Sequence, residues 1–171
     1  MLHAAVVVEF IKMLSNLDAF FDKAVMHAEA KKYDPETLLL ARLAPDQFAL
    51  TRQVQIACDT AKLGVARLTG KVPPSHPDTE KTIAELRVRI GQTIEFLRDF
   101  AEADFAGAEE RVITQPRWEG KTLTGHQFAH HHVIPNFYFH VAMAYAILRH
   151  NGVDVGKKDY LGALPFKAPE A

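Results

Sequence analysis

A single cysteine, Cys58, stands in a chain of 171 residues, so no internal disulfide can form and the fold must be held by its core. That composition is compatible with a reducing compartment. Long apolar runs are also missing. The stretch Ala4 to Val8 is apolar, but Glu9 and Lys12 interrupt it and no small-residue cleavage pattern follows, so a signal peptide is not expected. No segment approaches the roughly 20 uninterrupted apolar residues that a membrane-spanning helix needs. An excess of one charge is lacking too. The formal net charge is -1, and Lys and Arg are spread along the chain instead of forming the basic face of a nucleic-acid binder. There is no glycine-rich phosphate loop, nucleophile elbow or cysteine-rich zinc pattern. By elimination, the expected setting is cytoplasmic.

What remains is an ordinary globular balance, 48% hydrophobic and 24% charged. The length suits one domain spanning residues 1–171 with a substantial core. Apolar positions at helical spacing predict four long helices. The first covers about Ala5 to Ala30, with Phe10, Met13, Leu14, Leu17, Phe20, Phe21, Ala24 and Ala28 on one stripe. Pro35 breaks it and opens a short helix over Glu36 to Ala41. Asp46 is placed to cap the second long helix, which runs from Gln47 to Gly70 on the stripe Leu50, Val54, Ala57, Cys58, Ala61, Val65 and Leu68. Ile56 and Leu63 give it a second apolar edge.

After the proline-rich connection Lys71 to Pro77, Asp78 or Thr79 starts the third helix. Ile83, Leu86, Ile90, Ile94 and Leu97 face inward, and Arg87, Arg89, Glu95 and Arg98 outward. The helical period fails from Ala101 to Thr124, where Arg111 to Thr114 and Lys121 to Thr124 predict an irregular β-hairpin around Pro116, Trp118 and Gly120. The fourth helix runs from Gly125 or His126 to His150, stopped at Asn151-Gly152, with coil from Val153 to Ala171.

The fourth helix holds five of the nine histidines: His126, His130, His131, His132 and His140. At ~100° per residue, His132, Asn136 and His140 align with Ala129, Val133, Met143 and Ile147 and are expected to face the interior. Buried polar groups without partners cost roughly 1–3 kcal/mol each, so something must satisfy the trio. Two readings stay open: a metal or substrate site, or a hydrogen-bonded core network reaching Tyr138, Tyr145, Asp59 or backbone carbonyls. His126 and His130 form an exposed pair without the acidic residue of a metalloprotease helix. Cys58 reads as a small buried hydrophobe or as a thiolate beside His140, and Asp59 with Lys62 as an intrahelical pair. Phe137, Tyr138, Val141, Tyr145 and Leu148 make the fourth helix apolar nearly all round, which predicts a homodimer contact.

The segments Leu43 to Lys62, Pro135 to His140 and Ala144 to Gly152 resemble a bacterial family of unknown function, itself similar to the DinB/YfiT-like superfamily. The resemblance runs to around Gly162. It implies an all-α, up-down-down-up four-helix bundle, often dimeric, with a divalent-metal site in members that keep three histidines. One of those lies on the second helix and two form H-x-x-x-H on the last. Some such members are thiol-dependent transferases or hydrolases. Here Asn136 and His140 fall on the H-x-x-x-H positions and only His140 matches. No histidine occurs from Gln47 to Gly70, where Cys58 and Gln55 are the nearest candidates. The leading expectation is a bundle with an incomplete metal triad that binds a small ligand near His140, Asn136, His132 and Cys58. The alternatives are a zinc- or nickel-dependent transferase or hydrolase using His132 and His140, and a non-enzymatic dimeric interaction protein.

Overall fold

The computed structural model describes residues 2–167. Helix α1 (Glu9–Lys31) follows a π-helical turn at Ala4–Val8 and buries the expected stripe from Phe10 to Ala28. It ends where Lys32 turns left-handed at φ 62°, its N–H reaching the carbonyls of Ala28 and Glu29. A short 3₁₀ turn, Pro35–Leu40, is capped by the Asp34 carboxylate, which accepts from the Glu36 N–H.

Helix α2 (Leu50–Thr69) starts later than the sequence predicts, and Asp46 does not cap it. The Gln47 N–H closes a turn on the Ala44 carbonyl, and the Leu50 N–H bonds back to Ala41, so residues 44–49 are spent reversing the chain. Gly70, at φ 78°, ends α2 as expected.

Helix α3 (Ile83–Arg98) also starts later, at a capping box in which Thr82 and Glu85 satisfy each other's backbone N–H groups. Asp78 is engaged elsewhere, with Arg52 and Arg89. Here the sequence-based orientation of Arg89 is corrected: the side chain is only 2% exposed. Its guanidinium meets Asp59 at 2.9 Å, Asp78 at 3.0 Å and Glu80 at 2.8 Å, and donates to the Pro77 carbonyl at 3.2 Å. A buried charge persists only when paired in this way. Two of its three carboxylates come from the connection between α2 and α3, which helical periodicity within α3 cannot reveal.

The antiparallel hairpin pairs β1 (Val112–Ile113) with β2 (Leu123–Thr124) in the register Val112 to Thr124 and Ile113 to Leu123. A 3₁₀ turn, Pro116–Trp118, sits inside its loop. The fourth long helix is composite: α4 (Gly125–Phe128), a π turn (Ala129–Val133) and α5 (Ile134–His150). Pro135 explains the π turn, because proline has no N–H to give and its ring crowds the preceding turn, which a wider turn accommodates. Residues Lys157–Leu161 form a short helix, α6, where coil was expected. It docks on α1, with Asn16 donating to the Tyr160 carbonyl and Lys23 pairing with Asp159 at 2.8 Å. The last part of the expected coil lies outside the described residues.

Cross-helix contacts fix the topology. Phe10 stacks on Phe137 and Phe20 meets Tyr145, so α1 and α5 run parallel. Thr60 meets Asn136 and Gln53 meets His140, so α2 and α5 are antiparallel. Arg87 bridges to Asp18 and Asp22, while His3 reaches the Phe100 carbonyl, setting α1 against α3. The result is an up-down-down-up four-helix bundle in which α2 lies between α3 and α5. Parallel α2 and α3 require residues 70–82 to travel back along the bundle, and Arg89 pins that crossover. The apolar circumference of α5 is largely used within the chain: Phe137, Val141 and Leu148 are fully buried, and Tyr145 packs on Phe20 and Tyr160. Among the described residues no helix is long and apolar enough to cross a membrane.

Candidate functional site

Helix α2 and the π turn that leads into α5 approach closely at Gly64, where an added Cβ would lie 2.5 Å from a Val133 methyl. Both residues line a cleft of about 480 Å³. On α2 it is lined by Arg52, Ile56, Asp59, Thr60, Leu63 and Arg67, which recur at helical spacing along one edge. Ile56 and Leu63 are the second apolar edge seen in the sequence. From the other side come Phe128, His132, Val133 and Asn136, and the hairpin loop closes one end with Gln115, Pro116 and Arg117.

The expected interior trio divides. His140 alone is buried, 7% exposed. His132 and Asn136 are half-buried and line the cleft, whereas His140 and Cys58 do not line it. The π turn inserts a wider turn between His132 and the rest of α5, so a uniform 100° step does not carry across it. None of the hydrogen-bond partners is among those the sequence suggested. The Asn136 amide donates to Thr60 Oγ1 at 2.7 Å. His140 Nδ1 lies 2.7 Å from Gln53 Oε1. Gln53 donates its own amide nitrogen to the Phe48 carbonyl, which turns its oxygen toward His140 and puts the imidazole proton on Nδ1. Burial, and then the charge of Arg52, push this imidazole down to about 4, so it is neutral.

His132 is held differently. Its ring stacks on Phe128 and meets Trp118 edge-on. Arg117 Nη2 lies 2.9 Å from Nε2. Arginine can only donate, so Nε2 accepts and the proton sits on Nδ1. Burial first, then the charges of Arg117 and Arg67, keep this histidine below its ordinary pKa and neutral. Cys58 is fully buried, and desolvation pushes its thiol up to about 12 against the opposing pull of Thr93, Arg89 and Lys62. It is a thiol packed in the core, without the thiolate character of a nucleophile. Asp59 pairs with Lys62 at 3.3 Å as expected, and with Arg89. His126 and His130 are an exposed pair with ring centroids 4.5 Å apart, and His131 is exposed.

This donor set does not fit the three-histidine metal centre that the superfamily resemblance implies. One nitrogen of His132 is occupied by Arg117, Cys58 is protonated and enclosed, and the Asn136 amide is turned to Thr60. Among the described residues no group of three His, Cys, Asp or Glu is arranged to hold an ion. Sequence reasoning missed Arg67, Gln115 and Arg117. The signal for Arg67 was its spacing from Ile56 and Leu63; the two hairpin residues had none, because only folding brings that loop to α2.

A solved crystal structure of a DinB family member protein from Shewanella denitrificans is 62% identical in sequence, covers 99% of this chain and 96% of its own, and superposes with a TM-score of 0.96. No curated protein matches the chain. The model of the Domain of unknown function (DUF1993) family matches residues 2–161, and the chain belongs to that family, within the DinB-like superfamily.

Proposed function

We propose that this protein binds a small organic molecule in the cleft between α2 and the last long helix, instead of in the bundle core near His140. One observation supports the reading most directly: a cavity of about 480 Å³ whose walls combine Ile56, Leu63 and Phe128 with converging polar groups on three separate elements. Volumes of roughly 300–1,000 Å³ with apolar walls and a few placed polar groups are typical of small-molecule sites. Asn136 and Thr60, already hydrogen-bonded to each other, sit midway along the wall, where their remaining acceptor and donor capacity fixes a ligand's orientation.

A thermal-shift screen with small acids, thiols and nucleotides, followed by amide chemical-shift mapping, tests the proposal. A ligand that binds only the folded state raises the melting temperature, by an amount set by its concentration relative to Kd. The expected hit perturbs Thr60, Leu63 and Asn136. An empty screen at millimolar concentrations, or hits that map away from the residues lining the cleft, ends the reading. Elemental analysis of protein purified without an affinity tag or chelator separates it from the zinc- or nickel-dependent alternative through His132 and His140. That alternative requires near-stoichiometric metal and a melting temperature lowered by EDTA; the ligand reading requires neither.

A further inference from the structure

We infer that the hairpin end of the cleft is a seat for an anionic group, a carboxylate or a phosphate, carried by the small ligand proposed above, and this inference rests on that proposal. The reason is an imbalance of hydrogen-bonding roles. Arg67 and Arg117 line this end, and among the described residues no carboxylate pairs with either. Asp59, the one carboxylate among the lining residues, is engaged by Arg89 and Lys62, and Arg52 is engaged by Asp78. Gln115 is only 8% exposed, and its Nε2 finds no acceptor among the described residues. His132 Nδ1, which carries the imidazole proton, is likewise buried without a partner. Two guanidiniums thus line one end of the cavity without a carboxylate partner, Arg117 giving one N–H to His132 Nε2, and an amide N–H and an imidazole N–H lie in the same wall with no acceptor among the described residues.

Such an arrangement is unfavourable by itself. A buried donor without a partner costs about as much as a lost hydrogen bond. The two arginines also repel, and Arg67 is held below the usual arginine range by burial first and then by Arg117. A carboxylate or phosphate oxygen reverses both penalties at once, because it supplies several lone pairs and a compensating charge, and charge-assisted hydrogen bonds are about twice as strong as neutral ones. Farther along, Ile56 and Leu63 offer an apolar wall for the body of the molecule. The geometry therefore matches a short organic acid or phosphate ester with its charged head toward the hairpin.

Benzoate, phenyl phosphate and benzamide are suitable probes, sharing a ring and differing in the head group. Kd is measured for each by ¹⁵N–¹H chemical-shift titration at low and moderate salt. At least one of the two anions is expected to bind tenfold or more tightly than benzamide, to weaken with salt, and to shift Gln115 and the His132 ring nitrogens. Which anion wins distinguishes carboxylate from phosphate chemistry. R117Q, at an exposed position, and R67Q are each expected to lower the anion's affinity at least tenfold and that of benzamide by much less; R67K restores part of it. Equal affinity for charged and neutral probes, with both mapping to the cleft, overturns the anionic seat and leaves the cleft proposal standing. Unchanged anion binding in both R67Q and R117Q overturns it as well. No shift with any of the three overturns the anionic seat, and an empty thermal-shift screen then removes the cleft proposal with it.

Discussion

At the scale of single residues, His140 gives the clearest solution signature. Its imidazole is neutral in the fold because burial and Arg52 lower its pKa from 6.5 to about 4, whereas in the unfolded chain it protonates near the ordinary value. Above pH 6.5 both states are neutral and nothing is at stake. As pH falls below that point the unfolded state binds the proton first, so stability declines until the folded state also protonates, near pH 4. At roughly 1.4 kcal/mol per unit, the full loss is on the order of 3 kcal/mol. His132 and His76, also shifted downward, act with the same sign. Urea unfolding at pH 7.5, 6 and 5 should show this decline, and His140→Gln should flatten most of it. A wild-type stability that does not change between pH 7.5 and 5 contradicts the buried, neutral imidazole.

At the scale of elements, two contacts set where the helices lie. Arg89 binds the α2–α3 crossover to both helices through Asp59, Asp78 and Glu80. Removing one partner of a buried ion network leaves the others uncompensated, at a cost of about 3 kcal/mol or more. Arg89→Ala should lower stability by that amount and speed proteolysis between residues 70 and 82, where it leaves Gln55 to hold Glu80 alone. A loss below about 1 kcal/mol contradicts the latch. Gly64 sets the width of the cleft. Its missing Cβ leaves room for Val133, whose branched side chain has little rotamer freedom in a helix. Gly64→Ala gains helix propensity, about 1 kcal/mol, but overpacking costs roughly 1–3 kcal/mol, so a net loss is expected. In a Val133→Ala background that loss should vanish or reverse; an additive double variant argues against the contact.

The scale of the whole molecule concerns what its surface still offers. Phe137, Val141 and Leu148, which predicted a dimer through the last helix, are covered inside the chain. Of the large apolar side chains of α5, Phe139 stays exposed, at 53%, with Phe48 exposed near the start of α2. A homodimer across α5 therefore has to close over Phe139. Light scattering at tens of micromolar should give twice the chain mass for the native protein and a single mass for Phe139→Glu; a native monomer at that concentration removes the dimer.

The sequence by itself determined the class and the main elements. Stripes such as Phe10 to Ala28 and Ile83 to Leu97 specify buried faces whatever they meet, because burial of apolar area drives folding without regard to the partner. The stop at Gly70, the hairpin strands and the inward direction of His140 were legible for similarly local reasons. Tertiary structure alone decided the rest. Arg89 is buried because carboxylates from a distant connection arrive over α3, and Asp46 is not a cap because the chain reverses just after it. The cleft needs Arg67 on one helix, His132 on another and Arg117 on a loop. Charge and hydrogen-bond pairing depend on which groups meet in space, and no periodicity along a single helix carries that information.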